Sequence, residues 1–249
     1  MDIIGIIPAR YQSERLPGKP LIDLAGKSMI VRTYEQVSKI NAFSELIVAT
    51  DDSRIFNEVV SFGGKAVMTN LNHCSGTDRC ADALQQLGYE PKHAIVVNIQ
   101  GDEPFILPEQ IEELIHCFNN KEIEIATLIK EIESENDLQD PNVVKVVKTD
   151  NNNALYFSRF SIPYKRNTSI NDITYYRHIG MYAYRGDVLN RIVKLPVSSL
   201  ERAESLEQLR WLQAGYHIHT HITKYETAFG IDTQNDVIKA IQYIQNHHL

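Results

Sequence analysis

Short, largely apolar runs of strand length recur through the first hundred residues, at 3–7 (IIGII), 45–50 (ELIVAT), 65–68 (KAVM) and 94–99 (AIVVNI). Between and after them lie stretches of helical periodicity at 29–40, 54–62, 77–87 and 108–118. A strand with one wet face alternates apolar and polar residues, whereas a strand covered on both faces stays apolar throughout. The alternation therefore restricts the first half to an α/β fold: a mostly parallel central sheet with helices on both faces, joined by right-handed crossovers. Such sheets take their ligands at the carboxyl ends of the strands. A chain of 249 residues holds one such domain, with or without an appendage.

The pattern changes near residue 123. Segments 124–129, 143–148, 154–159 and 176–184 read as strands with few helices between them. They predict a mixed or antiparallel extension of the sheet, whose exposed β-branched and aromatic residues suit a dimer face. A helix over 199–214 follows, then a strand over 217–225. Gly230-Ile231-Asp232-Thr233 opens a last helix running to about 246. Asn151-Asn152-Asn153 reads as a turn and 165–174 as a mobile loop.

A formal net charge of −7 argues against a general nucleic-acid or membrane-surface binder. No apolar run approaches the ~20 residues that cross a bilayer, and Met1-Asp2 leads straight into the first strand without room for a signal peptide. Cys74, Cys80 and Cys117 show no CxxC spacing and read as reduced thiols of a cytoplasmic protein. His217, His219 and His221 share one face of a strand. With no cysteine or carboxylate beside them, a partly exposed strand face fits better than a metal site.

Against the acidic whole, the segment after the first strand is basic. Arg10, Arg15 and Lys19 surround Pro17-Gly18, at the strand's carboxyl end. Guanidinium groups grip phosphate oxygens as a fork and ammonium groups as a point charge, so this turn suits a polyphosphate. The segment matches neither the P-loop nor GxGxxG. The strand AIVVNI ends in Gln100-Gly101-Asp102-Glu103-Pro104, where Asp102 can meet a Mg²⁺-bound nucleotide. Asp232 fits either a second metal carboxylate or a helix N-cap. Asp51 and Asp52 read as capping or loop carboxylates. In His73-Cys74-Ser75-Gly76-Thr77-Asp78-Arg79, Ser75 or Thr77 can cap a helix whose positive end favours an anion or a polar base edge. Arg159 ends a buried-looking strand and needs a carboxylate or phosphate partner there. His178 sits in another such strand, and Glu207 and Gln208 fit either a site or a solvated helix face.

These segments, PARYQSERLPGKPL, ATDD, SGTDR, VNIQGDEP, NVVKVV, ALYFSRFSIPY, YRHIGMYAYR, LEQLRWL and GIDT, occur in the order found in the 3-deoxy-manno-octulosonate (Kdo) cytidylyltransferases, and nearly the whole chain resembles that family. The loop and QGDEP are shared with sugar nucleotidyltransferases generally; ALYFSR, LEQLR and HxGxYxY are specific to the Kdo branch. The resemblance implies one nucleotidyltransferase domain of Rossmann-like type over 1–249. Its nucleotide-binding half spans about 1–122, and a sugar-binding and dimerisation part spans 123–249 and returns to the core. It implies a cytoplasmic homodimer that joins CTP to Kdo with Mg²⁺, for lipopolysaccharide biosynthesis, releasing pyrophosphate. Around CTP it places Ala9, Arg10, Ser13, Arg15, Lys19, Thr77 and Gln100. On the Mg²⁺ it places Asp102 and Asp232, and in the sugar pocket Arg79, Gln100, Arg159, His178, Tyr182, Glu207 and Gln208. Arg10, Lys19, Asp102 and Asp232 carry the chemistry in that reading. Asp78 and Gln234 depart from the residues common in relatives. An 8-amino analogue of Kdo as substrate, or a nucleotide-sugar glycosyltransferase, remain the alternatives.

Overall fold

A computed structural model describes residues 1–12, 16–166, 173–226 and 229–247. The parallel half is built as predicted. Strand β1 (Asp2–Ala9) is followed by a 3₁₀ turn at Lys19–Leu21 and by α1 (Met29–Val37), β2 (Glu45–Thr50), α2 (Ser53–Phe62) and β3 (Ala66–Met68). Then come α3 (Gly76–Leu87), β4 (Ala94–Asn98) and α4 (Pro108–His116). β1 pairs in parallel with β2 on one side and β4 on the other, and β2 pairs with β3. Strand order reverses between β1 and β4, and that point opens a crevice beyond their carboxyl ends.

The second half runs β5 (Ile125–Glu131), α5 (Glu135–Gln139), β6 (Lys145–Lys148), β7 (Ala154–Ser158) and β8 (Tyr176–Arg185). It continues with α6 (Gly186–Ile192), α7 (Ser199–Glu204), α8 (Gln208–Gln213), β9 (Ile218–Ile222) and α9 (Gln234–His247). The sheet is mixed, but β8 does not extend its edge. It lies inside the sheet, antiparallel to β4 and to β5, while β9 adds in parallel beyond β5. The β6–β7 hairpin lies off this path, joined to the start of β8 through Val146 and Lys145 and bridged to β9 by the Asn153–His219 pair.

Three further differences from the sequence reading matter for the site. Helices α5 and α6 form where the sequence suggested few helices. The helix predicted over 199–214 is broken at Ser205, whose φ of 52° is left-handed, so the chain turns before Glu207. In β8, register slips by two residues opposite the Thr127/Leu128 step of β5, and this bulge frees the Gly180 carbonyl to point sideways.

Apolar layers cover both faces of the sheet. Ile4, Ile6 and Val96 pack against α3, α6 and α8 through Cys80, Leu84, Leu189, Leu209 and Trp211. Ile7, Val48 and Val97 pack against α1, α2 and α4 through Ile30, Ile55, Ile111 and Leu114. Each such side chain contributes about 1.5–3 kcal/mol of transfer free energy. A third cluster docks α9: Val237, Ala240 and Ile244, on one helical stripe, meet Leu16, Leu24, Met29 and Phe105. That docking brings the C-terminal segment back to the crevice.

Candidate active site

The crevice is an open cavity of about 310 Å³, lined by Ala9, Arg10, Lys19, Ser75, Gly76, Arg79, Gln100, Gly101, Asp102 and Asp232 among others. Close approach of its walls requires glycine at two places. A Cβ on Gly101 would sit 3.0 Å from the Pro8 carbonyl oxygen, and one on Gly76 would sit 3.1 Å from Pro8 Cγ. At a third, Gly18 holds φ at 69° and packs against the Tyr11 ring. Its N–H donates to the Tyr11 carbonyl at 3.1 Å, folding the basic segment back so that Lys19 enters the crevice. Ser13 and Arg15 lie outside the described residues, as does most of the 165–174 loop.

Lys19 Nζ donates to Asp102 Oδ2 at 2.6 Å and to Asp232 Oδ1 at 2.8 Å. Its side chain is 11% exposed against 38% and 50% for the two carboxylates, so the ammonium sits beneath them. The capping alternative for Asp232 is settled by its neighbours. Thr233 Oγ1 accepts from Asp236 N at 3.3 Å and Asp236 Oδ2 accepts from Thr233 N at 2.9 Å, a capping box that starts α9. Ile231 N donates to the Asp102 carbonyl at 3.0 Å, joining the two acidic turns.

Glu103, which the sequence reading passed over, is the third carboxyl of this corner. Burial first, and then the Asp102 charge, push it up to about 8 against the pull of Lys19. It carries its proton at neutral pH, and its Oε2 has no hydrogen-bond partner. The negative charge offered to a ligand is therefore that of Asp102 and Asp232. Two carboxylate oxygens converging on one cation suit Mg²⁺, which takes one or two carboxylates and completes its octahedron with phosphate and water. Among the described residues no group of three or more His, Cys, Asp or Glu is placed for a metal.

The opposite wall begins at α3. Ser75 is its cap, with Asp78 completing a capping box, so Thr77 is not. Arg79 is 3% exposed and spans inward to Asp51 and to Thr69 Oγ1. Asp51 is thus the partner of a buried arginine, while Asp52 caps α2 through Arg54 N at 2.9 Å. Gln100 Nε2 donates to the freed Gly180 carbonyl at 2.9 Å. His73, absent from the sequence-derived site, lines the same wall and pairs with Asp82 at 2.7 Å.

A second group lies beside the cavity on the α3/α8 face of the sheet. His178 Nε2 is 3.0 Å from Thr127 Oγ1, and its ring stands 5.1 Å from Phe157 and 5.2 Å from Tyr182. Burial holds the imidazole down at about 3, so it is neutral. Tyr182 meets Trp211 edge-on at 5.1 Å. Glu207 reaches across from the α7–α8 turn and accepts from Thr77 Oγ1 at 2.8 Å. Burial raises its carboxyl, and the hydroxyls of Thr77 and Ser75 offset part of that rise. The Tyr182 and Tyr184 hydroxyls, Gln208 Nε2 and Trp211 Nε1 are buried without a well-formed hydrogen bond. Such a cluster of unmatched donors and acceptors suits a polyhydroxylated ligand or ordered water.

Two expected site residues are engaged elsewhere. Thr77 does not face the cavity; its hydroxyl is spent on Glu207. Arg159 has neither a carboxylate nor a phosphate at its guanidinium. Its Nε donates to the Glu204 carbonyl at 2.7 Å, Nη1 to Pro141 at 3.0 Å and Nη2 to Ser205 at 3.4 Å. The Glu204 and Ser205 carbonyls at the end of α7, together with the Pro141 carbonyl between α5 and β6, satisfy it, as a helix carboxyl end does for cations.

A family model described as cytidylyltransferase matches residues 4–242. The 3-deoxy-manno-octulosonate cytidylyltransferase of Parabacteroides distasonis is 52% identical over 254 residues, covering 99% of each chain. That of Cytophaga hutchinsonii is 51% identical over 96% of each. A solved CMP:2-keto-3-deoxy-manno-octonic acid synthetase complexed with CTP superposes with a TM-score of 0.92 at 42% identity, covering 99% of this chain and all of that one. A 4-diphosphocytidyl-2C-methyl-D-erythritol synthase from Anaerococcus prevotii shares the fold alone, at a TM-score of 0.62 and 15% identity.

Proposed function

The chain belongs to the 3-deoxy-manno-octulosonate cytidylyltransferase family, and from that premise we propose that its crevice joins CTP to Kdo, giving CMP-Kdo and pyrophosphate. The observation that carries the reading is Lys19 held between Asp102 and Asp232, where the phosphate-binding turn meets a pair of acidic turns. The anomeric hydroxyl oxygen of Kdo forms a bond to the α-phosphorus, the bond to the bridging β-phosphate oxygen breaks, and the hydroxyl proton passes to solvent. Such transfer is mostly positioning and charge stabilisation.

Asp102 and Asp232 would hold Mg²⁺, which neutralises phosphate charge and acidifies the attacking hydroxyl when bound. Lys19 and Arg10 meet the charge that develops on the phosphates. Ala9, Arg79, Gln100 and the start of α3 form the wall for the cytidine and the reacting end of the sugar. Neutral His178, Tyr182, Glu207 and Gln208 suit the sugar hydroxyls, and Arg159 its carboxylate once it turns from the α7 carbonyls. Pyrophosphate release from purified protein, CTP, Mg²⁺ and Kdo tests the reading, with the 8-amino analogue as a competing substrate. No release above a no-sugar control overturns it. Asp102→Asn should lower turnover by at least a hundredfold in a protein that remains folded by circular dichroism.

The same reading places the enzyme in lipopolysaccharide biosynthesis in the cytoplasm, which the three free cysteines support; no helix among the described residues is long and apolar enough to cross a membrane. A homodimer through the β6–β7 region is supported by Leu155, Phe160 and Tyr164, 59%, 74% and 81% exposed. Phe160→Glu should then shift the mass measured by light scattering from two chains to one, and an unchanged mass removes this face from the interface.

A further inference from the structure

Thr77 was expected at the nucleotide, yet it is 2% exposed and sits one residue past Gly76, the last cavity-lining position of that turn. Its hydroxyl points away from the crevice to the Glu207 carboxylate, 2.8 Å off. That contact bridges two elements 130 residues apart in sequence. On one side is α3, whose start forms the nucleotide wall. On the other is the turn between α7 and α8, whose position is set by the left-handed Ser205 and the carbonyls that hold Arg159. Around Glu207 the other polar groups make weaker contacts: the Ser75 hydroxyl also reaches the carboxyl, and the Tyr182 and Tyr184 hydroxyls and the Gln208 amide nitrogen have no well-formed hydrogen bond. Among the described residues, Thr77 thus supplies the one well-formed side-chain hydrogen bond from α3 to the sugar-side carboxyl.

From this geometry we infer that Thr77 is a positioning residue: it fixes the Glu207 carboxylate toward the sugar hydroxyls and contributes nothing directly to the nucleotide. This rests on the Kdo cytidylyltransferase reading above. A buried carboxyl needs a hydrogen-bond partner to hold one rotamer, and leaving it unmatched is costly. Without the hydroxyl, Glu207 keeps only the weaker Ser75 contact and can turn toward the Tyr182 and Tyr184 hydroxyls. The sugar then meets a carboxylate already engaged elsewhere.

The experiment is steady-state pyrophosphate release with CTP, Mg²⁺ and Kdo for wild type, Thr77→Val, Thr77→Ser, Glu207→Gln and the Thr77→Val/Glu207→Gln double variant. Valine keeps the shape and removes the donor. Thr77→Val should raise KM for Kdo about tenfold or more, leaving KM for CTP within about twofold and kcat within about threefold. Thr77→Ser should restore KM for Kdo, and the valine should add nothing in the Glu207→Gln background. A rise in KM for CTP with KM for Kdo unchanged overturns the inference in favour of a nucleotide contact. Unchanged constants, or full additivity in the double variant, overturn it as well. Should the valine variant fold poorly, Thr77→Ser beside Thr77→Ala gives the same comparison. A wild type that releases no pyrophosphate with Kdo fails the functional reading instead, so the two failures are distinct.

Discussion

Lys19 is the residue on which the acidic corner turns. Its ammonium stands 2.6 and 2.8 Å from the carboxylates that would hold a divalent cation, so the metal and the lysine compete for one place. A triphosphate changes the balance, because it offers the lysine other oxygens and brings further ligands to the metal. Mn²⁺ should therefore bind the wild type weakly without nucleotide and well with CTP, as read by electron paramagnetic resonance of the free ion. Lys19→Met should bind Mn²⁺ without CTP about tenfold more tightly than wild type, while turning over at least a hundredfold more slowly. Equal nucleotide-free affinities in the two proteins would count against the competition. Glu103 makes the contrast sharper, since its carboxyl is held up at about 8 and stays protonated beside Asp102.

At the scale of elements, what aims Asp232 is the start of α9. Asp236 accepts from the backbone of Asp232 at 3.2 Å and of Thr233 at 2.9 Å, and from Thr233 Oγ1 at 2.8 Å. Asp236→Ala should cost about 1 kcal/mol in urea unfolding, the usual loss for a cap. It should also weaken CTP-dependent Mn²⁺ binding severalfold, because the turn carrying Asp232 loosens; intact binding would show that docking of α9 suffices. The start of α9 was half-legible in sequence: GIDT announces a helix start, but only the structure shows that Thr233 and Asp236 do the capping and release Asp232 for Lys19. The parallel half was legible outright, because largely apolar strands alternating with amphipathic helices leave few arrangements. Elements set by distant contacts were not. At the start of α6, Gly186 is required by a distant contact, since a Cβ there would lie 2.7 Å from the Pro91 carbonyl oxygen. The sequence 199–214 has continuous helical periodicity, and its break comes from Ser205 together with Arg159, 46 residues upstream by chain and adjacent in space. The place of β8 inside the sheet depends on pairing with β4 and β5 together, which no local pattern records.

Taken whole, the molecule puts its polar chemistry at the seam between separately packed apolar layers, and that arrangement makes its stability pH-dependent. His178 belongs to the α3/α8 layer, packed on Phe157 and Tyr182, and burial lowers it from 6.5 to about 3. A histidine lowered in the folded state contributes its full stability above the unfolded value of 6.5. As pH falls below that, the unfolded chain takes up a proton that the native chain refuses, and native stability drops by as much as about 1.4 kcal/mol per pH unit. The loss stops near pH 3, where the folded imidazole protonates too. His178→Gln removes this titration while keeping a polar side chain beside Thr127. Above pH 7 the variant should be equal to or less stable than wild type, since it forfeits two ring contacts. Between pH 6.5 and 4 the difference should shift steadily toward the variant in urea unfolding free energies. Parallel curves for the two proteins across that window would mean that the imidazole is hydrated in the native state and that the layer around it admits water.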